Sequence, residues 1–196
     1  MNNGSLTYAD YYYFLKKKFI NTDSFDYNQI QPSSVDLTLS NECYMINASF
    51  LAHNERVKSK LEKYGQKKIN IKKGFVFKKN KTYLVRIRES LNLPYKIFGK
   101  CNPKSSTGRL NIFCRTILDK CDEYEKIPFN YKGNIFLEIT SRSFDIFLKE
   151  GDSLNQMRLV KNSNNFLNDV QLTKLHKKYP ILFNNSKKSL SANISS

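Results

Sequence analysis

Apolar residues recur along this chain with two periods, one helical and one extended. Residues 8 to 20, YADYYYFLKKKFI, place Tyr8, Tyr12, Leu15 and Phe19 close to helical spacing with three lysines on one flank, so a short amphipathic helix packed on a core is predicted there. From Val35 the period changes to two. Val35, Leu37 and Leu39 alternate with Asp36, Thr38 and Ser40, the mark of a half-buried strand, and a β-rich body is expected to begin at this point. Residues 53 to 73 contain ERVKSKLEKYGQKK and read as an exposed, charged excursion, after which alternation returns at Tyr83, Val85 and Ile87. Three further strand-like runs, RLNIFCRTIL, GNIFLEIT and FDIFLKEG, are separated by Asn, Gly and charged residues rather than by helices of crossover length. Such spacing favours antiparallel pairing over a βαβ sheet. From about Asn162 the chain turns polar; one short helix is expected from Asp169 to Lys178, and the final NNSKKSLSANISS reads as disordered.

The pattern divides the chain into an N-terminal helical segment at 1–29, a β body at 30–162 and a polar tail at 163–196. A length of 196 residues suits one domain able to bury a continuous core without disulfides or a structural metal. With 40% hydrophobic residues, among them 14 Phe and 12 Tyr, the composition is that of a packed protein rather than a disordered one.

Charge widens the range of partners. Thirty-three Lys and Arg against 17 Asp and Glu give a net charge of +16, a field that concentrates nucleic acid, anionic membrane or nucleotide phosphates. Solvated lysines accumulated through a general Lys and Asn bias account for the same number, and a solvated face accounts equally for the lysines of the first helix. The start MNNGSLTYADYYYFL has no basic stretch followed by an unbroken apolar run, and no window approaches the ~20 apolar residues of a membrane span, so a soluble, cytoplasmic protein without membrane contact is expected. Cysteines stand at 43, 101, 114 and 121 with no CxxC pair, and only His53 and His176 could assist them. That spacing matches no common zinc site, which leaves free, reduced thiols and no metal centre as the expectation.

Two places could carry chemistry. In Pro103-Lys104-Ser105-Ser106-Thr107-Gly108-Arg109 two cations bracket three hydroxyls and a glycine, a set suited to phosphate: the cations give charge-assisted donors, and Gly lets the backbone approach an anion. The GxxxxGK[ST] order of a P-loop is absent, and an ordinary polar turn with basic flanks has the same composition. Glu138 lies in the apolar run Ile135 to Ile139, on the face of Phe136 and opposite Leu137. Partial burial of such a carboxyl prepares it to move protons; an outward-facing residue paired with a lysine is the alternative.

The succession IQPSSVDLTLSN, KSSTGRLNIF, YKGNIFLEI and LKEGDSLNQMRL resembles the dCTP deaminase family over about residues 30 to 160. The family pattern falls on Gln31 to Leu39, Lys104 to Arg109, Gly133 to Glu138 and Gly151 to Gln156. The resemblance implies a mainly β, distorted antiparallel β-barrel of the dUTPase-like (β-clip) type with a short N-terminal helix, assembled as a homotrimer with sites between subunits. It implies hydrolytic deamination of dCTP to dUTP with release of ammonia, in pyrimidine deoxynucleotide (dUTP and dTTP) biosynthesis. The chemistry would centre on Glu138, which gives and takes the proton, with Ser105 and Arg109. Lys104, Ser106, Thr107, Gly108 and Gln156 would complete the nucleotide site, and Phe136 and Leu137 would offer backbone contacts to the base. Mg²⁺ would arrive on the triphosphate rather than in a protein cage, and the H-x-E and P-C-x-x-C segments of zinc deaminases do not occur.

Within the resemblance, DKCDEYEKIPFNYKG lengthens the connection before Glu138; Glu125 is the nearest counterpart of an acidic residue of the family, and Asn130 takes a glycine position. The Tyr, Lys and Gln with which short members close a lid over the triphosphate find no place in residues 165 to 196. The whole chain looks like the first half of the longer, two-repeat members, so a pseudo-trimer is the corresponding assembly where a second repeat follows. A dUTPase, a bifunctional deaminase that also cleaves the triphosphate, and a catalytically silent nucleotide- or nucleic-acid-binding domain are the competing functions.

Overall fold

The computed structural model describes residues 3–64, 66–162, 167–181 and 183. It forms two units, Met1–Asn162 and Ser163–Ser196. The first opens with β1 (Gly4–Ser5), α1 (Tyr8–Lys16), β2 (Ile20–Asn21), β3 (Val35–Leu37) and β4 (Leu39–Ile46). It continues through α2 (Val57–Lys63), β5 (Lys68–Asn70), β6 (Phe75–Phe77), β7 (Thr82–Asn92) and β8 (Ile97–Pro103). Then come α3 (Ser105–Arg109), β9 (Ile112–Leu118), β10 (Lys126–Ile127), β11 (Lys132–Ser141), β12 (Ile146–Leu148) and β13 (Asn155–Lys161). In the second unit α4 (Asp169–Lys178) spans the stretch read as helical, capped by Asn168, whose side chain accepts the Gln171 N–H at 2.9 Å. The disorder expected for NNSKKSLSANISS concerns residues outside the described set.

All strand pairs are antiparallel, as the short connections require. One sheet runs β5-β4-β7-β11-β9 with β2 also on β7; a second runs β1-β13-β8-β10 with β3 also on β13; β12 and β6 make a two-stranded ribbon. Leu39, Val85 and Leu137 of the first sheet and Leu37, Cys101, Met157 and Leu159 of the second belong to one buried cluster. The mainly β, distorted fold with a short N-terminal helix is therefore present, its ladder divided between two sheets and a ribbon. Among the described residues no helix is long and apolar enough to cross a membrane.

The structure corrects four expectations. The buried face of α1 is Tyr11 and Phe14, one i, i+3 step, while Tyr8 is half exposed. The helix ends before Phe19 because Lys18 turns with φ 56, and Lys16 and Lys17 lie over the Tyr12 and Tyr13 rings at 4.6 and 5.9 Å. The charged excursion is packed: Val57 and Leu61 of α2 join Tyr44, Ile46, Leu84, Ile117 and Phe136 in a second core, a burial worth roughly 1.5–3 kcal/mol for each aliphatic side chain. The strand from Val35 is buried on both faces rather than one, since Asp36, Thr38 and Ser40 are covered as well. Their polar groups are partnered, Thr38 by the buried carboxylate of Glu89, which accepts from its N–H at 2.9 Å and its hydroxyl at 2.7 Å. Finally, β8 and β13, which no alternating run had marked, pair along their whole length.

Candidate active site

The period of two that buries β11 also builds the site. Across β9 and β11, Phe136 faces Ile117, Glu138 faces Arg115 and Thr140 faces Phe113. The first pair lies in the second core, under α2. The last pair lines an open cleft. Glu138 and Arg115 therefore occupy the step between apolar interior and solvent, where opposed side chains on one face of an antiparallel pair come within reach. Arg115 Nε donates to Glu138 Oε1 at 2.8 Å, and the carboxylate is 2% exposed. On the other oxygen, Oε2, sits the hydroxyl of Ser49 from the connection between β4 and α2.

The cleft holds about 610 Å³ and is bordered by Ser49, Pro103, Gly108, Asn111, Phe113, Arg115, Glu138, Thr140 and Arg142. Two guanidinium groups to one carboxylate suit an anionic ligand. Gly108 forms part of the wall, and a Cβ placed there would meet nothing within 4 Å, so the wall stays low on that side.

The KSSTGR segment is a short helix rather than a loop. Lys104 stands at its N-cap position, and its side chain pairs with the carboxylate of Asp36. Thr107 is buried, its hydroxyl donating to the Leu154 carbonyl at 3.0 Å. Arg109 is exposed and folds back on Ser105, donating to its hydroxyl at 3.2 Å and its carbonyl at 3.4 Å. Ser106 is exposed. Gln156 lies opposite Asp36 in the β3–β13 pair and accepts from the Ser34 hydroxyl at 3.1 Å. Phe136 and Leu137 are buried in the middle of β11, between β7 and β9. Thus Glu138 and Gly108 share the cleft, whereas Lys104 and Gln156 gather around Asp36; the turn of α3 links the two sets, Gly108 N–H donating to the Lys104 carbonyl at 3.2 Å.

Four side chains at the site escaped the sequence reading: Arg115, Ser49, Tyr124 and Asp36. Arg115 was visible as a lone cation in an apolar strand, but only the register gives its partner. Glu125, the nearest acidic counterpart, accepts the Thr116 N–H at 2.7 Å and is pushed up to about 7, chiefly by burial. Asn130 has φ 56 and its side chain accepts the Lys96 N–H at 2.9 Å, a left-handed turn that Asn tolerates where glycine is usual. The four cysteines are free and buried. Burial lifts the Cys43 and Cys114 thiols to about 12 and Cys121 to about 11, and raises Cys101 too, so the neutral thiol form is favoured near neutral pH. Among the described residues no group of three or more His, Cys, Asp or Glu is placed to hold a metal ion.

Comparison with known proteins gives the chain its relatives. Residues 2–163 match the model of the 2'-deoxycytidine 5'-triphosphate deaminase N-terminal domain. The dCTP deaminase of Ignicoccus hospitalis is 24% identical over 160 residues, 81% of this chain and 84% of that protein. A dCTP deaminase, dUMP-forming, of Corynebacterium glutamicum is 27% identical over 142 residues, 72% of each chain. The crystal structure of 2'-deoxycytidine 5'-triphosphate deaminase from Agrobacterium tumefaciens superposes with a TM-score of 0.86 at 33% identity and covers 94% of this chain. This chain spans about half the length of the Agrobacterium protein, 54% of it.

Proposed function

Because the chain belongs to the dCTP deaminase family, we propose that it hydrolyses dCTP to dUTP and ammonia, with Glu138 moving the protons. The observation that carries this reading is the carboxylate of Glu138, 2% exposed yet bordering the cleft, with a hydroxyl already seated on Oε2. Water adds to C4 of the cytosine while Glu138 takes its proton. The carboxyl returns that proton to N3 of the ring, then takes the proton of the new C4 hydroxyl and passes it to the amine as the C4–N bond breaks. One water enters, one ammonia leaves, and the carboxylate is restored; a positioned acid–base of this kind contributes on the order of 10²- to 10⁴-fold.

Lys104, Ser105, Ser106, Thr107, Gly108 and Arg109 take the triphosphate, which brings its own Mg²⁺, and the chemistry needs no protein-held metal. The exposed Arg109 guanidinium supports this, since its contacts with Ser105 are within its own turn and can be exchanged for phosphate oxygens. Gln156 closes the same end of the site. Phe136 and Leu137 lend backbone groups to the base. Lys104 is engaged with Asp36 rather than with the Glu138 cleft, which supports a site completed by a neighbouring subunit of a homotrimer, or by a second repeat in a pseudo-trimer. Half-exposed Leu110 and Phe113 leave apolar surface beside the cleft for that contact. The reaction belongs to cytoplasmic deoxynucleotide metabolism.

The dUMP-forming relative favours one alternative, a bifunctional enzyme that also cleaves the triphosphate. Product analysis separates them: dUTP with ammonia from dCTP is the expected result, dUMP with ammonia identifies the bifunctional enzyme, and absence of ammonia contradicts both.

A further inference from the structure

Arg115 is held from more sides than an ordinary ion-pair partner. Its guanidinium carbon lies 4.0 Å from the centroid of the Tyr124 ring and 5.3 Å from that of Phe113, which fixes the plane of the group by stacking. Tyr124 reaches further: its hydroxyl and that of Ser49 are 2.9 Å apart. Ser49 has one proton and donates it to Glu138 Oε2, so Tyr124 must be the donor in that contact. The four side chains close a ring in which Arg115 holds Oε1, Ser49 sits on Oε2, Tyr124 orients Ser49, and Tyr124 stacks on Arg115.

From this ring we infer that Arg115 is a positioning residue for the proposed deamination, holding Oε1 of Glu138 so that Oε2 is the oxygen that exchanges the proton. The inference rests on the function proposed above. The terminal torsion of a glutamate is broad and nearly two-fold. Without a fixed donor on one side, either oxygen could turn toward the cleft. A strand-borne arginine braced by two rings removes that freedom, and the Ser49 hydroxyl marks the direction from which a proton reaches Oε2.

Steady-state ammonia release from dCTP by the full chain, compared with melting temperature, tests the role. Arg115→Gln should lower kcat by at least about tenfold while KM stays within about threefold and the melting temperature is kept. Arg115→Lys should recover part of the loss, since an ammonium can still donate to Oε1. Added to Glu138→Gln, Arg115→Gln should cost nothing more, because both act through one carboxylate. The contact is read separately from turnover in the unliganded protein, where the Arg115 Nε–H signal in a ¹⁵N–¹H spectrum should shift on Glu138→Gln. An unmoved signal, a loss in KM alone, or an Arg115→Gln kcat within about threefold of wild type overturns the role. If the wild-type chain releases no ammonia at all, the function itself falls and the role with it, and a signal that still shifts leaves the pair as a structural one.

Discussion

Glu125 shows how one buried oxygen can make stability depend on pH. Its Oε1 accepts the Thr116 N–H, whereas Oε2 has no partner, and the Asn155 amide faces it from β13 without completing a hydrogen bond. Burial raises its pKa from 4.5 to about 7, against the smaller opposing pull of Thr116, Asn155 and Arg115. A carboxyl raised in the folded state binds its proton more tightly there than in the unfolded chain. Its stabilisation is complete below the unfolded value near 4.5 and is lost as pH rises through about 7. Allowing for the carboxyl's partial contact with water, the loss is on the order of 2 kcal/mol. Urea midpoints should therefore fall between about pH 5 and pH 8, and Glu125→Gln should flatten that slope; an unchanged slope in the variant would assign it to other groups. Alternation alone brought out Glu138 as a carboxylate in an apolar strand. Arg115, Ser49 and Tyr124 stayed hidden because their partnership depends on register and on two connections that meet only in the fold.

Among the elements, β8 and β13 were the longest strands that pattern did not reveal. Gly99 and Cys101 supply most of the inward face of β8, and neither resembles the β-branched residues that mark a strand. Gly99 has a specific task there: a Cβ at this position would stand 2.5 Å from the Arg158 carbonyl oxygen and 2.8 Å from Leu159 Cδ2. Gly99→Ala should thus force the two strands apart and cost about 1–3 kcal/mol in a denaturation experiment. A change below about 0.5 kcal/mol, ordinary for an exposed site, would contradict so close an approach. The same contrast explains α2 and α3. ERVKSKLEKYGQKK carries its apolar residues thinly, yet Val57 and Leu61 suffice to anchor it, and Val57 N–H donates to Asp119 at 2.8 Å. KSSTGR has the composition of a turn, and the buried hydroxyl of Thr107 on Leu154 holds it as one helical turn.

For the whole molecule, the charge of +16 exceeds what internal pairing can neutralise and is left for solvent or anionic ligands. A triphosphate is such a ligand, and in the proposed shared site a second copy or repeat would set its own residues against the Glu138 cleft and the Lys104–Asp36 pair. Sedimentation should report a trimer, and a clean monomer that turns over dCTP would contradict the shared site. The central claim is that Glu138 moves the proton in deamination, and its most direct test is ammonia release from dCTP by wild type and Glu138→Gln side by side. The amide keeps the size of the side chain and loses the ability to take up a proton. A folded Glu138→Gln chain that still binds dCTP but turns over at least about 10²-fold more slowly is the expected result; turnover above about a tenth of the wild-type rate would contradict the account.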